Sequence, residues 1–505
     1  MKNNKIGRTA AILTIIVVVG KAFGFLREVL LAYFFGTSKV VDAYVVSVTI
    51  PFILFGFLSA LGVAFIPKFY KISENNRNAF LTSTIITSVF ISVICISVTL
   101  ISPEKIVTVV AGGFNEETIK LTASYLRITI FLILFNTPVQ LLIAYLNCNE
   151  KYISSNISNL LLSSVQCIFV IFAAKVNVYL LPVGILVSYV IQFGLLYFHS
   201  LKVGYRIELK STVKNEVIRL IISALPICLS TILIDINGFV DKYFSSFLES
   251  GSISALNYAY NVFSLFYFIG TSAMTTISFP RISEYFQLGL HKEISCLINK
   301  LINTMLVLLI PTTIICVLNS RNLIYIVLQR GNFDISSLEL TSVPFMYYSI
   351  GLVFISVREV FIRVLYALEK SNINLIFGVV NIGLNIAFSA IFVRLMGIGG
   401  LAFATSISSI VSFPLYMLYI MRRFTLSIKR IMINCLKIFI SCIPLIVVLV
   451  SVNIMFPLQN FVIEIIKLII SYGISISICF LLMRKFNVDG LNDLKYMIQP
   501  VLAKK

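Results

Sequence analysis

The chain has 505 residues, of which 59% are hydrophobic and only 12% charged, against roughly a quarter charged in an ordinary soluble domain. Mean hydropathy is +0.99, and apolar runs recur along the whole length, each long enough to cross ~30 Å of hydrocarbon as a helix. A soluble protein is excluded, and so is a nucleic-acid partner, because the net charge of +19 is carried by no basic, aromatic-interleaved globular segment.

The runs predict an all-α polytopic membrane protein of about fourteen transmembrane helices, at 9–35, 40–66, 80–101, 122–147, 152–174, 178–199, 217–248, 253–279, 299–318, 339–368, 373–393, 397–421, 432–456 and 461–483. The first run follows Lys2, Lys5 and Arg8 like a signal peptide, but no small-x-small site closes it, and it reads as an uncleaved span. Lysine and arginine test the count, since short cytoplasmic loops are enriched in them. Of the 40 bases, eight fall inside spans, namely Lys21, Arg27, Arg127, Lys242, Arg358, Arg363, Lys437 and Lys467. With the N-terminus inside, seven fall on outer segments (Lys39, Lys105, Lys120, Lys175, Arg321, Arg330 and Arg394) and the other 25 on inner ones. That alternation places both termini in the cytoplasm.

The nine cysteines are scattered through apolar segments without a C-x-x-C pair, and His199 and His291 stand alone. They read as small buried hydrophobes rather than disulfides or metal ligands. No loop between the spans is long enough for a catalytic domain, so a transporter is expected rather than an enzyme.

The chain also repeats itself. Gly36-Thr-Ser, Asp42-Ala-Tyr and Phe65-Ile-Pro67-Lys68 are echoed by Gly251-Ser-Ile, Asn257-Tyr-Ala and Ser278-Phe-Pro280-Arg281, at an offset of 213 to 215 residues. Six spans fit into that offset, so the halves run parallel: an N-lobe at 1–212, a C-lobe at 213–424, and two last helices with a cytoplasmic tail at 425–505. Two such lobes are a transporter architecture, with the cargo path expected between them.

Charges inside spans cost several kcal/mol if they face lipid, so each needs a partner or a wet cavity. Lys21 and Glu28 are seven residues apart, within about 20° on one helical face, with Arg27 beside them. They form either an ion-pair network or a cavity lining. Gly20 and Gly24 in the same stretch allow close helix packing or a local bend. Glu359 and Arg363, spaced i,i+4, can neutralise each other, and Lys437 and Lys467, near their helix starts, are expected to snorkel. Asp235, Asn237, Gly238, Asp241 and Lys242 interrupt an apolar run. On a loosened helix their oxygens suit a small hard cation such as Na⁺; otherwise they make an internal salt bridge. Buried bases suit an anionic cargo, since arginine's planar fork offsets the cost of bringing a diphosphate into low dielectric.

Gly20-Lys-Ala-Phe-Gly-Phe-Leu-Arg27-Glu28, Asp42-Ala-Tyr and Ala64-Phe-Ile-Pro67 resemble the opening of the MurJ/MviN lipid II flippases, in the multidrug/oligosaccharidyl-lipid/polysaccharide exporter superfamily. So do Val240-Asp241-Lys-Tyr-Phe, Gly251-Ser-Ile-Ser-Ala-Leu-Asn-Tyr-Ala259, Phe279-Pro-Arg-Ile-Ser283, Arg363-Val-Leu-Tyr-Ala-Leu368 and Gly400-Leu-Ala-Phe-Ala-Thr405. The resemblance implies a V-shaped cavity between two six-helix lobes, and a groove for a lipid tail on the last two helices. It implies as partners membrane lipids and an undecaprenyl-diphosphate-linked glycan, peptidoglycan precursor, carried to the outer leaflet of the bacterial cytoplasmic membrane. Lys21, Arg27, Glu28 and Asp42 are its substrate-binding positions, with Arg127 and Arg363 as further cavity bases. It implies no cofactor, apart from a Na⁺ site that some members carry, mapping onto Asp241, Asn381, Asn385 and Thr405. The sequence departs from the family where Phe55, Gly56 and Ala60 replace a charged cluster and Tyr260-Asn261 an acid–arginine pair. These departures leave the class unchanged and keep open a Wzx-like exporter of another lipid-linked glycan. A cation-coupled multidrug antiporter of the same fold would want a more acidic cavity than Lys21, Arg27 and Arg127 offer.

Overall fold

A backbone in hydrocarbon has no water to bond, so every N–H and C=O must be satisfied within its own segment, and a chain this apolar must be helical. The computed structural model describes residues 2–458 and 460–491. Among these it holds twenty α-helices, two 3-10 turns and no strand. Lys495, Lys504 and Lys505 of the expected tail lie outside the described residues.

In the first half the order is α1 (Lys2–Phe35), α2 (Lys39–Phe55), α3 (Ala60–Phe69), α4 (Glu74–Ile101), α5 (Pro103–Val110), α6 (Glu116–Thr129), α7 (Leu132–Cys148), α8 (Tyr152–Lys175) and α9 (Leu180–Lys202). Then come α10 (Lys214–Ser245), α11 (Ser252–Gln287), α12 (His291–Leu318), α13 (Ser320–Leu328), α14 (Ile335–Ile350), α15 (Leu352–Ala367), α16 (Ser371–Met396) and α17 (Ile398–Met421). The chain continues with α18 (Ile428–Ser441), α19 (Ile443–Met455) and α20 (Phe461–Lys485). Each expected span falls on one helix or on a broken pair: α2 with α3, α6 with α7, α14 with α15, α18 with α19. Eight spans are long and apolar enough to cross a membrane on composition alone, and the α6–α7 pair, bent by 41°, makes a ninth.

The repeat reappears in the backbone. Short α5 and α13 occupy matching places, as do the broken pairs α6–α7 and α14–α15. Gly36 (φ +56°) and Gly251 (φ +93°) both take the left-handed conformation at corresponding chain reversals. Glu150 and Glu369 do so as well, at φ 59° and 58°. Each ends its helix with the following amide donating 2.8 Å back to a leucine carbonyl, Lys151 to Leu146 and Lys370 to Leu365.

Two compact units divide the chain: 1–254 with 330–334, and 255–329 with 335–505. Their boundary differs from the repeat boundary near 212 because α10 packs against α2 and α3 in the first unit. The last three helices belong to the second unit, where α18 and α19 pack on α12, and α20 on α13.

Within the second unit, Lys467 does not snorkel as expected. Its Nζ sits 2.6 Å from Glu464, whose side chain is 0% exposed, and it also donates to the Phe456 carbonyl at 3.1 Å. Asn322 donates to the same carboxylate at 2.8 Å, and Asn453 bridges to Asn319 at 2.9 Å. Removing one partner leaves a buried charge unanswered. Lys467→Met should therefore destabilise the protein by about 3–5 kcal/mol, read as a fall in unfolding temperature in detergent. Glu464→Gln together with Lys467→Met should recover most of that loss.

Candidate functional site

In the first unit the site starts on α1. This helix continues unbroken through Gly20 and Gly24. A Cβ on Gly20 would meet Leu160 at 3.8 Å and one on Gly24 would meet the Ser163 hydroxyl at 3.8 Å, ordinary contacts that place both glycines against α8. That packing positions Arg27 beside α8. Its Nη1 donates to Gln166 Oε1 at 2.7 Å, its Nε donates to Glu28 Oε1 at 3.1 Å, and it forms an ion pair with Glu28. Gln166 passes the chain on, donating to Ser188 Oγ on α9 at 3.1 Å. Tyr44 of α2 and Tyr189 of α9 lie within electrostatic reach of the guanidinium.

Glu28 is buried, at 5% exposed, whereas Arg27 stays partly open and Lys21 is exposed. The ion pair of the cluster is present in Arg27 and Glu28. Glu28 is the fixed counter-ion, and Arg27 is a cation pre-oriented by two acceptors, on a side chain that is partly open. Arg127 is exposed in the last turn of α6, directly before the bend into α7.

Asp42 has a different surrounding from Arg27. It is 3% exposed, and its two carboxylate oxygens accept the Gly251 amide at 2.6 Å and the Ser254 amide at 2.7 Å. It caps the start of α11, at a turn so tight that a Cβ on Gly251 would lie 2.6 Å from the Thr37 carbonyl oxygen. α10 runs unbroken through Asp241 rather than loosening there. Asp241 Oδ1 and Asn237 Oδ1 are buried without hydrogen-bond donors, and Lys242 donates to the Gly238 carbonyl at 3.2 Å.

In the second unit, Arg363 is exposed and pairs with Glu359 at 3.0 Å, so these two answer each other as the spacing predicts. The more deeply held base is Arg358, whose Nη1 donates to Asn381 Oδ1 at 2.8 Å, Ser409 Oγ at 3.3 Å and Ser412 Oγ at 3.4 Å. Asn381, Asn385 and Thr405 do meet on the α16–α17 seam, with Asn385 Nδ2 donating to Thr405 Oγ1 at 3.1 Å. Asp241 belongs to the first unit. The seam does not fit Na⁺ in this arrangement. Asn381 Oδ1 already accepts from Arg358 and, at 2.9 Å, from Ser412. Only Asn385 Oδ1, in a residue 1% exposed, is left without a donor in that trio. Among the described residues no three His, Cys, Asp or Glu side chains are grouped to hold a metal.

Sequence reasoning missed Gln166, Ser188 and the linking role of Arg358. Their signal was present: Gln166, and Gln192, which donates to Asn159 Oδ1 at 2.8 Å, are amides in otherwise apolar spans. Where the resemblance expects an acid and an arginine, Tyr260 stacks edge-on against Tyr348, 5.6 Å between centroids.

Truncating Asp42 to alanine strips two buried amides of their acceptor, each worth on the order of 1–3 kcal/mol. The expected result is a lower unfolding temperature and faster proteolysis near 250, with Asp42→Asn milder than Asp42→Ala.

A family model described as "Lipid II flippase MurJ" matches residues 31–472. A probable lipid II flippase MurJ from Buchnera aphidicola subsp. Schizaphis graminum is 25% identical over 417 residues, covering 80% of this chain and 81% of its own. One from Thermotoga maritima is 25% identical over 403 residues, covering 77% and 80%. Among solved structures, an inward closed lipid II flippase MurJ is similar with a TM-score of 0.80 at 23% identity, covering 94% of this chain and 99% of that one. An inward-facing multidrug resistance MATE transporter matches with a TM-score of 0.67 at 13% identity, over 79% and 93%. At these identities the two structures speak for the fold.

Proposed function

This chain belongs to the lipid II flippase MurJ family, and from that premise we propose that it carries lipid II, the undecaprenyl-diphosphate-linked peptidoglycan precursor, from the inner to the outer leaflet. It is a multi-pass protein of the bacterial inner membrane. Alternating access between its repeated halves moves the cargo with no covalent chemistry, and both termini face the cytoplasm.

The observation that carries this reading is Arg27. A guanidinium inside a span is expensive, and here it is held ready by Glu28 and Gln166 while remaining partly open. A diphosphate arriving there exchanges water for charge-assisted bonds from a donor already oriented, so little reorganisation is needed. The exposed cations Lys21 and Arg127 add positive potential in the same unit. A cytoplasm-negative potential then favours outward movement of the anion, by ~2.3 kcal/mol per charge per 100 mV.

Arg358, bound to Asn381, supplies fixed positive charge on the seam where a bound cation would otherwise supply it. Transport is therefore expected to run equally well when K⁺ replaces Na⁺ throughout, which a flipping assay in Na⁺-free vesicles checks. In cells depleted of their own lipid II flippase, expressing this chain should prevent lysis, and Arg27→Ala should abolish that rescue. A well-expressed wild-type chain that fails to rescue would rule out lipid II as the cargo.

A further inference from the structure

The start of α18 frames a cavity of about 320 Å³ that the transport reading does not use. Lys429, Arg430 and Lys437 line it with Ser427, Asn434 and Asp489, giving three bases against one carboxylate. Its wall is rigid. Buried Asn434 donates to the Asp489 carbonyl at 3.1 Å and to Asn303 Oδ1 at 3.0 Å, and accepts the Asp489 amide at 2.8 Å. Asp489 answers Arg430 through Nε alone, at 2.8 Å, leaving both Nη groups without a protein partner. Lys437 reaches the same level, its Nζ 3.4 Å from the Asn487 carbonyl, as expected of a snorkelling lysine.

An exposed apolar stripe on α18 adjoins the cavity at Ile433. Lys429, Ile433, Leu436 and Ile440 fall within about 60° of one another on α18. Leu436 is 61% exposed, and Ile433 and Ile440 are exposed beside it. A bare phosphate would use the bases and ignore that stripe; an amphiphile uses both. The volume suits a phosphoglycerol head. The cavity beside α5 and α6 makes a contrast: Glu104 and Glu116 balance Lys105 and Lys120 there, so nothing selects an anion.

We propose that the α18 cavity is a binding site for an anionic glycerophospholipid of the phosphatidylglycerol kind. Its phosphodiester lies among Lys429, Arg430 and Lys437, and its acyl chains leave the cavity at Ile433 to run along the exposed Leu436 and Ile440. Basic pockets between membrane helices are suited to such heads. A lipid seated there joins the foot of α18 to the segment after α20, and so tightens the last helices against α12.

The test is native mass spectrometry of the full-length protein after exchange into mixed phosphatidylglycerol and phosphatidylcholine. The wild type should retain phosphatidylglycerol selectively. Lys429→Gln with Lys437→Gln, which spares the Arg430–Asp489 pair, should weaken that retention on the order of tenfold. Lys105→Gln with Lys120→Gln should not. Equal retention of the two lipids, or undiminished retention by the Lys429/Lys437 variant, would overturn the proposal. So would inorganic phosphate binding with the lipid's affinity, because the apolar stripe would then contribute nothing. The site is separate from Arg27, so loss of lipid retention with cell rescue intact leaves the cargo assignment standing, and the reverse result leaves this site standing.

Discussion

No ionised or amide side chain can go unanswered where water is absent, and that constraint shapes this molecule more than any other. It is met by partners on the same helix and on neighbouring ones. Arg27 turns to Glu28 and Gln166 across the α1–α8 contact. Arg358 turns to Asn381 and two serines across α15, α16 and α17. Lys467 turns to Glu464 and fixes α20 to α13 through Asn322. In hydrocarbon, apolar contact alone gives little reason for one helix to prefer another, since lipid tails are equally apolar. Polar pairs and close-packed small residues therefore supply much of the specificity of assembly.

Internal repetition shows how a shared framework came to hold different chemistry in its two halves. At an offset of 214 residues, Arg27-Glu28 corresponds to Asp241-Lys242, with acid and base in reversed order. Gly184 and Gly400, 216 residues apart, both mark close approaches, to a side chain in one and to backbone in the other. A Cβ would meet Phe169 at 2.2 Å in one and the Phe392 carbonyl oxygen at 2.1 Å in the other. What recurs is the packing, which the fold needs twice. What diverges is the charge, which the cargo needs to meet only on particular helices.

Much of the fold was legible because a span announces itself by length and apolarity, and the basic residues between spans check the count. Breaks within spans were less legible. Pro51, Pro138 and Pro344 lie inside α2, α7 and α14, and nothing in the sequence says that α7 and α14 continue through theirs while their spans break elsewhere. At the site, the residue types stood out in the sequence but their partners could not be read. Asp42 looked like a companion to the cavity bases, yet its acceptors are spent on amides more than 200 residues away. Lys467 looked like a snorkelling lysine because it lies near its helix start, and only tertiary packing decides that Glu464, three residues away, is buried and holds it. Gln166 was passed over because an amide carries no charge to attract notice, although in an apolar span it must find a partner.

The account rests on the guanidinium of Arg27 being a working contact for a phosphate-bearing lipid rather than a structural tie to α8. The most direct measurement is the affinity of purified protein for lipid II, with wild type, Arg27→Gln and Gln166→Leu compared. The account predicts that Arg27→Gln loses binding, that Arg27→Gln with Glu28→Gln, which leaves no stranded charge, stays folded and still does not bind, and that Gln166→Leu weakens binding by leaving the guanidinium less well oriented. Lipid II binding as tight in Arg27→Gln as in the wild type would contradict it.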